Sequence, residues 1–429
     1  MKLNKLFPIA LVALMGGLTA CNNGGGGGGG GDGSKITVWA TAAEQAVVNK
    51  VLVNYNAQAA DADKISEIDY VAISEADAGT TVAKDPSAET APDLFLVADD
   101  HIYNLQSKNI VLDVTAYGAD IAAKNSANAV AGAMYNNKYY GFPVTDDNGY
   151  FLWYNGTMIT NDEAGSLDKI LQKAASTGKT VLFDIANGYY SASVFLSGQV
   201  AGTNSLKFRE NTNGDVIYDI GWDTDAAASA FDAMRTLYAT YSSTFVAADN
   251  SNVVEKMKTG EACAAIFGNH VYNSLYEALG ANLKATKLPT FRVGTTECQM
   301  GSFVGSKVYC VNATKTGGDS SVRRQKAVKF ANYLIQKESQ LVRFEERGTV
   351  PCNKEALLDT RYTTKKNVSI LALEAQSQFA AVQSTSAEGR YWDVGKAIGT
   401  AIKDNNIGSY TTSKQFLAYQ CGLLRVPAV

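Results

Sequence analysis

Apolar side chains along this chain follow two rhythms. Short runs dense in β-branched and aromatic residues, KITVWA at 35–40, the stretch 66–73 and PDLFLVA at 92–98, predict strands. Between the first two, the Ala-rich stretch 43–60 predicts a helix. Residues 139–144, 150–154 and 180–185 read as further strands. At helical spacing, Ala227, Ala230, Phe231, Met234, Leu237, Tyr238 and Tyr241 form one stripe, with Thr224 or Asp225 placed to cap it. The same period returns in Ala327, Phe330, Ala331, Leu334 and Ile335, after a strand at 308–311 and a Gly317-Gly318 turn. Strands alternating with helices place the chain in the α/β class. No internal repeat is visible.

The amino terminus breaks the pattern. Lys2 and Lys5 precede an apolar run over 6–18 and then small residues before Cys21, the layout of a secretion signal. Leu18-Thr19-Ala20-Cys21 resembles the lipobox of bacterial lipoproteins, which implies a signal peptide of 1–20 and a lipid on Cys21. Residues 21–34 hold an unbroken glycine tract, 24–31, and no apolar side chain to fold around, so they read as a flexible tether. At roughly 5 to 6 Å times the square root of residue number, such a tether holds a folded body within a few nanometres of the membrane. No second apolar stretch of about twenty residues follows, so the remainder cannot itself form a channel.

Composition narrows the function classes. With 429 residues, 46% hydrophobic and 19% charged, the chain can bury a large core in two or three domains. Lys plus Arg total 38 against 42 Asp plus Glu, a formal −4, and loss of Lys2 and Lys5 with the leader makes it −6. Nothing in that balance favours nucleic acid. Only two histidines occur, His101 and His270, without CxxC or HExxH spacing, so no metal or other cofactor is expected. Cys263, Cys298, Cys310, Cys352 and Cys421 remain beyond Cys21, an odd number that admits at most two bridges or a set of buried thiols.

Several segments, in order, resemble the maltose and maltodextrin-binding proteins of the extracellular solute-binding family. They are KITVWA, APDLFLVADDHIYNLQSKNIVLDVT (91–115), MYNNKYYGFPVTDDNGYFLWYN (134–155), NTNGDVIYDIGWDTDAAASAFDAM, MKTGEACAAIFGNHVYNSLYEAL, LKATKLPTF, GSFVGSKVYCVNA, AVKFANYLIQKESQ and YWDVGKAIGTAI. The resemblance spans about 35 to 405. It implies a periplasmic-binding-protein-like type II fold: two α/β lobes joined by crossing hinge segments, with the ligand cleft between them. Lobe one would comprise 35–145 plus 306–352, and lobe two 150–302 plus 356–429. Crossings are expected near 144–149, 303–305 and 349–353. The implied function is that of a monomeric, lipid-anchored receptor on the outer face of the cell membrane, passing a sugar or oligosaccharide to the permease of an ABC transporter. A polyamine or glycerophosphodiester is the alternative ligand.

Sugars offer hydroxyls and an apolar ring face, so their receptors need carboxylates or amides and aromatic plates. By the resemblance, Asp100 and His101 bind hydroxyls; Asp99, directly before the following helix, reads as its cap. One extra residue before Tyr154 leaves Asp146 and Asp147 as alternatives for a cleft carboxylate. Glu44 and Gln45 follow the first strand, where the family places polar ligand contacts. Tyr189 corresponds to a stacking tyrosine with Asn187 beside it, and His270 and Trp392 take the positions of stacking tryptophans. Helix core is the competing reading of Trp392, because Gly395 and Gly399 follow at helical spacing. Val97 replaces another family tryptophan. Trp39, Trp153 and Trp222 read as packing residues. An enzyme would need a carboxylate pair spanning a substrate, but Asp99-Asp100 and Asp146-Asp147 are adjacent and would point to opposite faces of an extended chain. No GxSxG elbow or Ser-His-Asp set stands out, and no repeats or β-rich modules suggest an adhesin.

Overall fold

The computed structural model describes residues 35–196, 198–200, 206–210, 216–383 and 389–426; the leader, the tether and Cys21 lie outside them. The elements that position the site begin with β1 (Lys35–Ala40), α1 (Gln45–Gln58), β2 (Glu67–Ala72), α2 (Glu75–Val82), β3 (Leu94–Ala98), α3 (Ile102–Ser107), β4 (Phe142–Thr145), β5 (Tyr150–Asn155), β6 (Thr180–Leu182) and α4 (Gly188–Ser191). There follow α5 (Asp225–Thr240), β7 (Phe245–Val246), β8 (Ala262–Gly268), β9 (Leu283–Thr286), β10 (Ser302–Val304), β11 (Lys307–Val311), α6 (Ser320–Leu334), α7 (Lys337–Arg347), β12 (Ala380–Val382) and α8 (Gly389–Lys403). Among the described residues no helix is long and apolar enough to cross a membrane.

Two five-stranded sheets organise the chain, in the orders β2-β1-β3-β11-β4 and β7-β6-β8-β5-β9. In the first, β1, β2 and β3 are parallel while β11 runs antiparallel to both neighbours, with Lys307 opposite Ala98 and Val311 opposite Leu94. Helices cover both faces, so β3 is apolar throughout and β11 is apolar after Lys307. Period-two geometry then divides them: Leu94, Leu96, Tyr309 and Val311 join one core, and Phe95, Val97, Val308 and Cys310 the other. A separate, larger core surrounds the second sheet and includes Trp153 and Trp222.

The α5 helix behaves as its stripe predicts. Ala227, Ala230, Phe231, Met234 and Tyr238 are buried, and Thr224 supplies the cap by accepting from the Ala227 N–H at 3.1 Å. The strand expected at 139–144 is two elements. Asn136 and Asn137, both at positive φ, close a hairpin that ends at Tyr139, and the sheet strand starts at Phe142. Of the tryptophans read as packing residues, Trp153 and Trp222 are fully buried and Trp39 is half-buried. All five described cysteines are buried free thiols.

Between the sheets the chain crosses repeatedly. Asn148 and Gly305 exchange backbone hydrogen bonds at 3.0 and 2.9 Å, the Asp146 N–H donates to Val350 O at 3.2 Å, and the Gln383 N–H donates to Val304 O at 2.7 Å. The last bond belongs to a crossing not anticipated from the sequence, β12 lying parallel to β10. Glycine is required at 305, because a Cβ there would come within 2.9 Å of both carboxylate oxygens of Asp99.

Candidate functional site

The carboxyl ends of β1, β2, β3 and β4 and the start of β11 share one edge of the first sheet, facing the turn after β8 and the start of β5. Sheet carboxyl ends and interdomain clefts are where α/β proteins hold ligands. Asp100 and His101 leave β3 in a single 3₁₀ turn. They line a cavity of about 400 Å³ with Gly79, Thr80, Asn104, Lys108 and Trp392. Trp392 comes from α8 on the other sheet's side and is half-buried. His101 packs flat against α2, where a Cβ on Gly79 would lie 2.5 Å from its Nδ1. Burial raises the Asp100 pKa, opposed by His101 and by a hydrogen bond to Gln383. Gln383 also accepts from Asn148 Nδ2 at 3.3 Å, tying this carboxylate to the crossing segments.

Tyr189 stands 6.2 Å from Trp392, centroid to centroid, and lies nearly parallel to Phe303 at 5.6 Å. Its hydroxyl donates to Asn148 O at 3.1 Å. Asn187 is exposed and caps α4, accepting from the Tyr189 N–H at 3.0 Å. Asp99 is not the helix cap expected of it. The cap position falls on Ala98, and the Asp99 carboxylate turns inward to accept from the Ser306 N–H at 2.8 Å, because that crossing backbone N–H has no ladder partner there.

A second group gathers around His270. Asp147 is buried and accepts from Asn269 Nδ2 at 3.1 Å and from the Val350 N–H at 3.3 Å. Lys307 Nζ sits 3.5 Å from Glu75 Oε1, both largely buried. Glu44 is wholly buried, its Oε1 paired with Arg343 at 2.5 Å and with Arg347. It stands behind Arg347 with no open face of its own. Burial works against ionisation of Glu75, but Lys307 and Arg347 together hold it below the ordinary carboxylate range. The His270 ring is reachable by water but crowded, and desolvation, Lys307 and Arg347 push its pKa down to about 4. It is therefore neutral at pH 7. Asp146, the alternative to Asp147, turns elsewhere: it accepts from Ser126 Oγ at 2.7 Å and Asn128 Nδ2 at 2.6 Å, and lines a separate cavity of about 360 Å³ with Glu374 and Val382.

The structure thus brings Asp100, His101 and Trp392 together with Tyr189 adjacent, and groups Asp147, His270 and Glu44 around Lys307 and Arg347. Asp146 and Asn187 join neither group. Sequence reasoning passed over Glu75, Lys307, Asn269 and Gln383. A charge opening the otherwise apolar β11 was a usable signal for Lys307; Gln383 follows a strand too short to be read. Among the described residues no group of three or more His, Cys, Asp or Glu side chains converges as a metal would require. An aromatic face beside carboxylate, amide and imidazole groups suits a neutral polyhydroxylated ligand.

Residues 50–369 match the family described as bacterial extracellular solute-binding protein. A maltooligosaccharide ABC transporter solute-binding lipoprotein of Streptococcus pneumoniae (strain ATCC BAA-255 / R6) is 22% identical over 369 residues, 81% of this chain and 79% of that protein. A solved structure described with acarbose superposes with a TM-score of 0.74 at 26% identity, covering 91% of this chain and 98% of that one. The maltodextrin binding protein MalE1 from L. casei BL23, without ligand, gives 0.73 at 18% identity over 91% and 99%. MalX from Streptococcus pneumoniae, in complex with maltopentaose, gives 0.70 at 16% over 91% and 99%.

Proposed function

We propose that this chain, which belongs to the bacterial extracellular solute-binding protein family, is the receptor subunit of an ABC importer and carries a sugar or oligosaccharide in the cleft between its two sheets. A solute-binding protein captures and releases its ligand unchanged, so the chain is not an enzyme. The observation that carries the ligand class is the meeting of Trp392 with Asp100 and His101 in one cavity. An indole face covers the apolar side of a pyranose while a carboxylate and an imidazole take its hydroxyls, and these groups come from opposite sides of the cleft. The maltooligosaccharide and maltodextrin ligands named for its relatives support the same class. Lobe one is assigned 35–145 plus 306–352 and lobe two 150–302 plus 356–429, with closure about the crossing segments delivering the loaded form to a permease. Lipidation at Cys21, with 21–34 as tether, would hold the monomeric receptor at the outer face of the cell membrane.

The deciding experiment is a thermal-shift panel of oligosaccharides, amino acids, polyamines and glycerophosphodiesters on the chain lacking 1–33. A saccharide at a hundredfold excess over its Kd is expected to stabilise the protein by about 2.7 kcal/mol, without turnover. A shift produced only by a non-sugar would refute the ligand class. For the anchor, Cys21→Ser is expected to abolish acylation and release the protein from the membrane; an unmodified mature amino terminus in the wild type, found by mass spectrometry, would refute it.

A further inference from the structure

We propose that Gln383 and Asn148 are positioning residues for the ligand: neither lines the cavity, yet together they hold the Asp100 carboxylate and the Tyr189 ring in register through the crossing segments. The inference rests on the sugar reading above and adds to it the residues that set the fit between a ligand's hydroxyls and its ring face. Gln383 follows β12, is buried, and fixes its own backbone by donating its N–H to Val304 O at 2.7 Å. Its side-chain amide meets two partners of opposite need. The Asp100 carboxylate only accepts, so Nε2 donates to it; Asn148 Nδ2 only donates, so Oε1 accepts, at 3.3 Å. The orientation of the amide is thereby set by its neighbours. A glutamate of the same size has no donor for Asp100, and a leucine has neither group.

Asn148 passes the constraint on. Its carbonyl oxygen accepts from the Gly305 N–H at 2.9 Å and from the Tyr189 hydroxyl at 3.1 Å, so both lone pairs are used. Tyr189 is held on its other sides by Phe303, nearly parallel at 5.6 Å, and by Tyr150, edge-on at 4.9 Å. Gly305 keeps the crossing tight, since a Cβ there would also come within 3.2 Å of Gln383 Cβ. The relay from Asp100 through Gln383 and Asn148 to Tyr189 therefore lies within the crossings themselves. A shift of those segments reaches the carboxylate and the aromatic plate together, and breaking the relay lets each move without the other. Further ionisable groups surround Asp100: Asp99, His101 and the Tyr189 hydroxyl act on it or feel its charge, and Lys108 lines the same cavity. Burial disfavours the ionised carboxylate, while His101 and the Gln383 amide favour it. Without the amide, Asp100 takes a proton at higher pH, and a protonated carboxyl is the weaker acceptor for a hydroxyl.

The test is calorimetric titration of the full chain, solubilised in detergent, with maltopentaose, cellopentaose and xylopentaose across about pH 4 to 8, where the carboxylates titrate. At pH 7, Gln383→Leu and Gln383→Glu are each expected to bind the preferred sugar about tenfold to a hundredfold more weakly than wild type. The glutamate variant keeps the side chain's size, so it serves if the leucine variant fails to fold. Wild-type affinity is expected to fall on the acid side as Asp100 is protonated, and Gln383→Leu to move that fall up by about one pH unit. In Asp100→Asn the fall should vanish, and adding Gln383→Leu to it should cost about threefold or less, because the amide acts through the carboxylate. Wild-type affinity with an unmoved acid fall in a folded Gln383 variant overturns the relay, as does an equal loss with and without the Asp100 carboxylate. Binding of none of the three sugars by the wild type overturns the sugar reading, and this inference with it.

Discussion

Asp99 carries a carboxylate in a place built for its backbone contact and not for its charge. Desolvation, with Asp100 and Asp146 nearby, raises its pKa well above the ordinary value, and its Oδ1 has no partner. A raised acid pKa means that the folded state binds a proton more readily than the unfolded state. Stability therefore falls as pH rises from the ordinary carboxylate value through the folded one. Asp99→Asn removes the charge and keeps an acceptor for the Ser306 N–H. The variant is expected to melt higher than wild type at pH 7 to 8, with the gain fading toward pH 4, where the wild-type group is itself protonated. Scanning calorimetry across that range checks it; a lower melting temperature of the variant at pH 8 would show that the ionised carboxylate is needed. Beside it, Asp100 and His101 were named as site candidates by the family resemblance, which places hydroxyl-binding residues directly after this strand. The inward turn of Asp99 was not, because it depends on Ser306, some two hundred residues away.

Helix α8 answers both readings of Trp392. Its glycines do pack closely: a Cβ at Gly395 would lie 2.8 Å from Gly188 Cα, and one at Gly399 only 1.9 Å from Ile185 O. That close approach seats α8 on α4 and holds Trp392 at the cavity. Since the obstacle at Gly399 is backbone, Gly399→Ala must push α8 away from the Ile185-Ala186 segment that leads into α4, a change that costs about 1 to 3 kcal/mol or more. A lower unfolding midpoint is expected, together with weaker ligand binding because Trp392 moves. Gly422, in the carboxyl-terminal helix, has open space for 4 Å around the point where an alanine methyl would sit, so Gly422→Ala is the control, expected to be neutral or stabilising by up to about 1 kcal/mol. Thermal denaturation of the pair decides; equal midpoints would contradict the packing argument.

At the scale of the whole molecule, the first sheet is completed from far along the chain. Strand β11 lies between β3 and β4, yet the second sheet's strands intervene in sequence. A fragment of 35–149 lacks β11 and the α6 helix that covers the same face, leaving β3 and β4 without their shared neighbour and the core around Leu94, Leu96 and Phe142 open. It is expected to show no cooperative thermal transition by circular dichroism. Cooperative unfolding of that fragment would mean that the crossing strands are dispensable for folding.

Local patterning by itself determined the α/β class and most strand and helix positions, and it narrowed the α5 cap to Thr224 or Asp225, because period-two and period-3.6 burial are written into neighbouring residues. The ordered resemblance along the chain points to the family with no help from the fold. Tertiary structure alone decided which polar residues meet. Asp146 and Asp147 follow the end of β4 as neighbours, yet their side chains go to different surroundings, Asp146 to Ser126 and Asn128 and Asp147 to Asn269 and Val350. Glu44 looked like a ligand contact in the sequence and is sealed behind Arg343 and Arg347, whose charges a burial-free reading cannot place. Glu75, Lys307 and Asn269 come from three distant stretches, the first two at the edge of one sheet and the third at the end of a strand of the other.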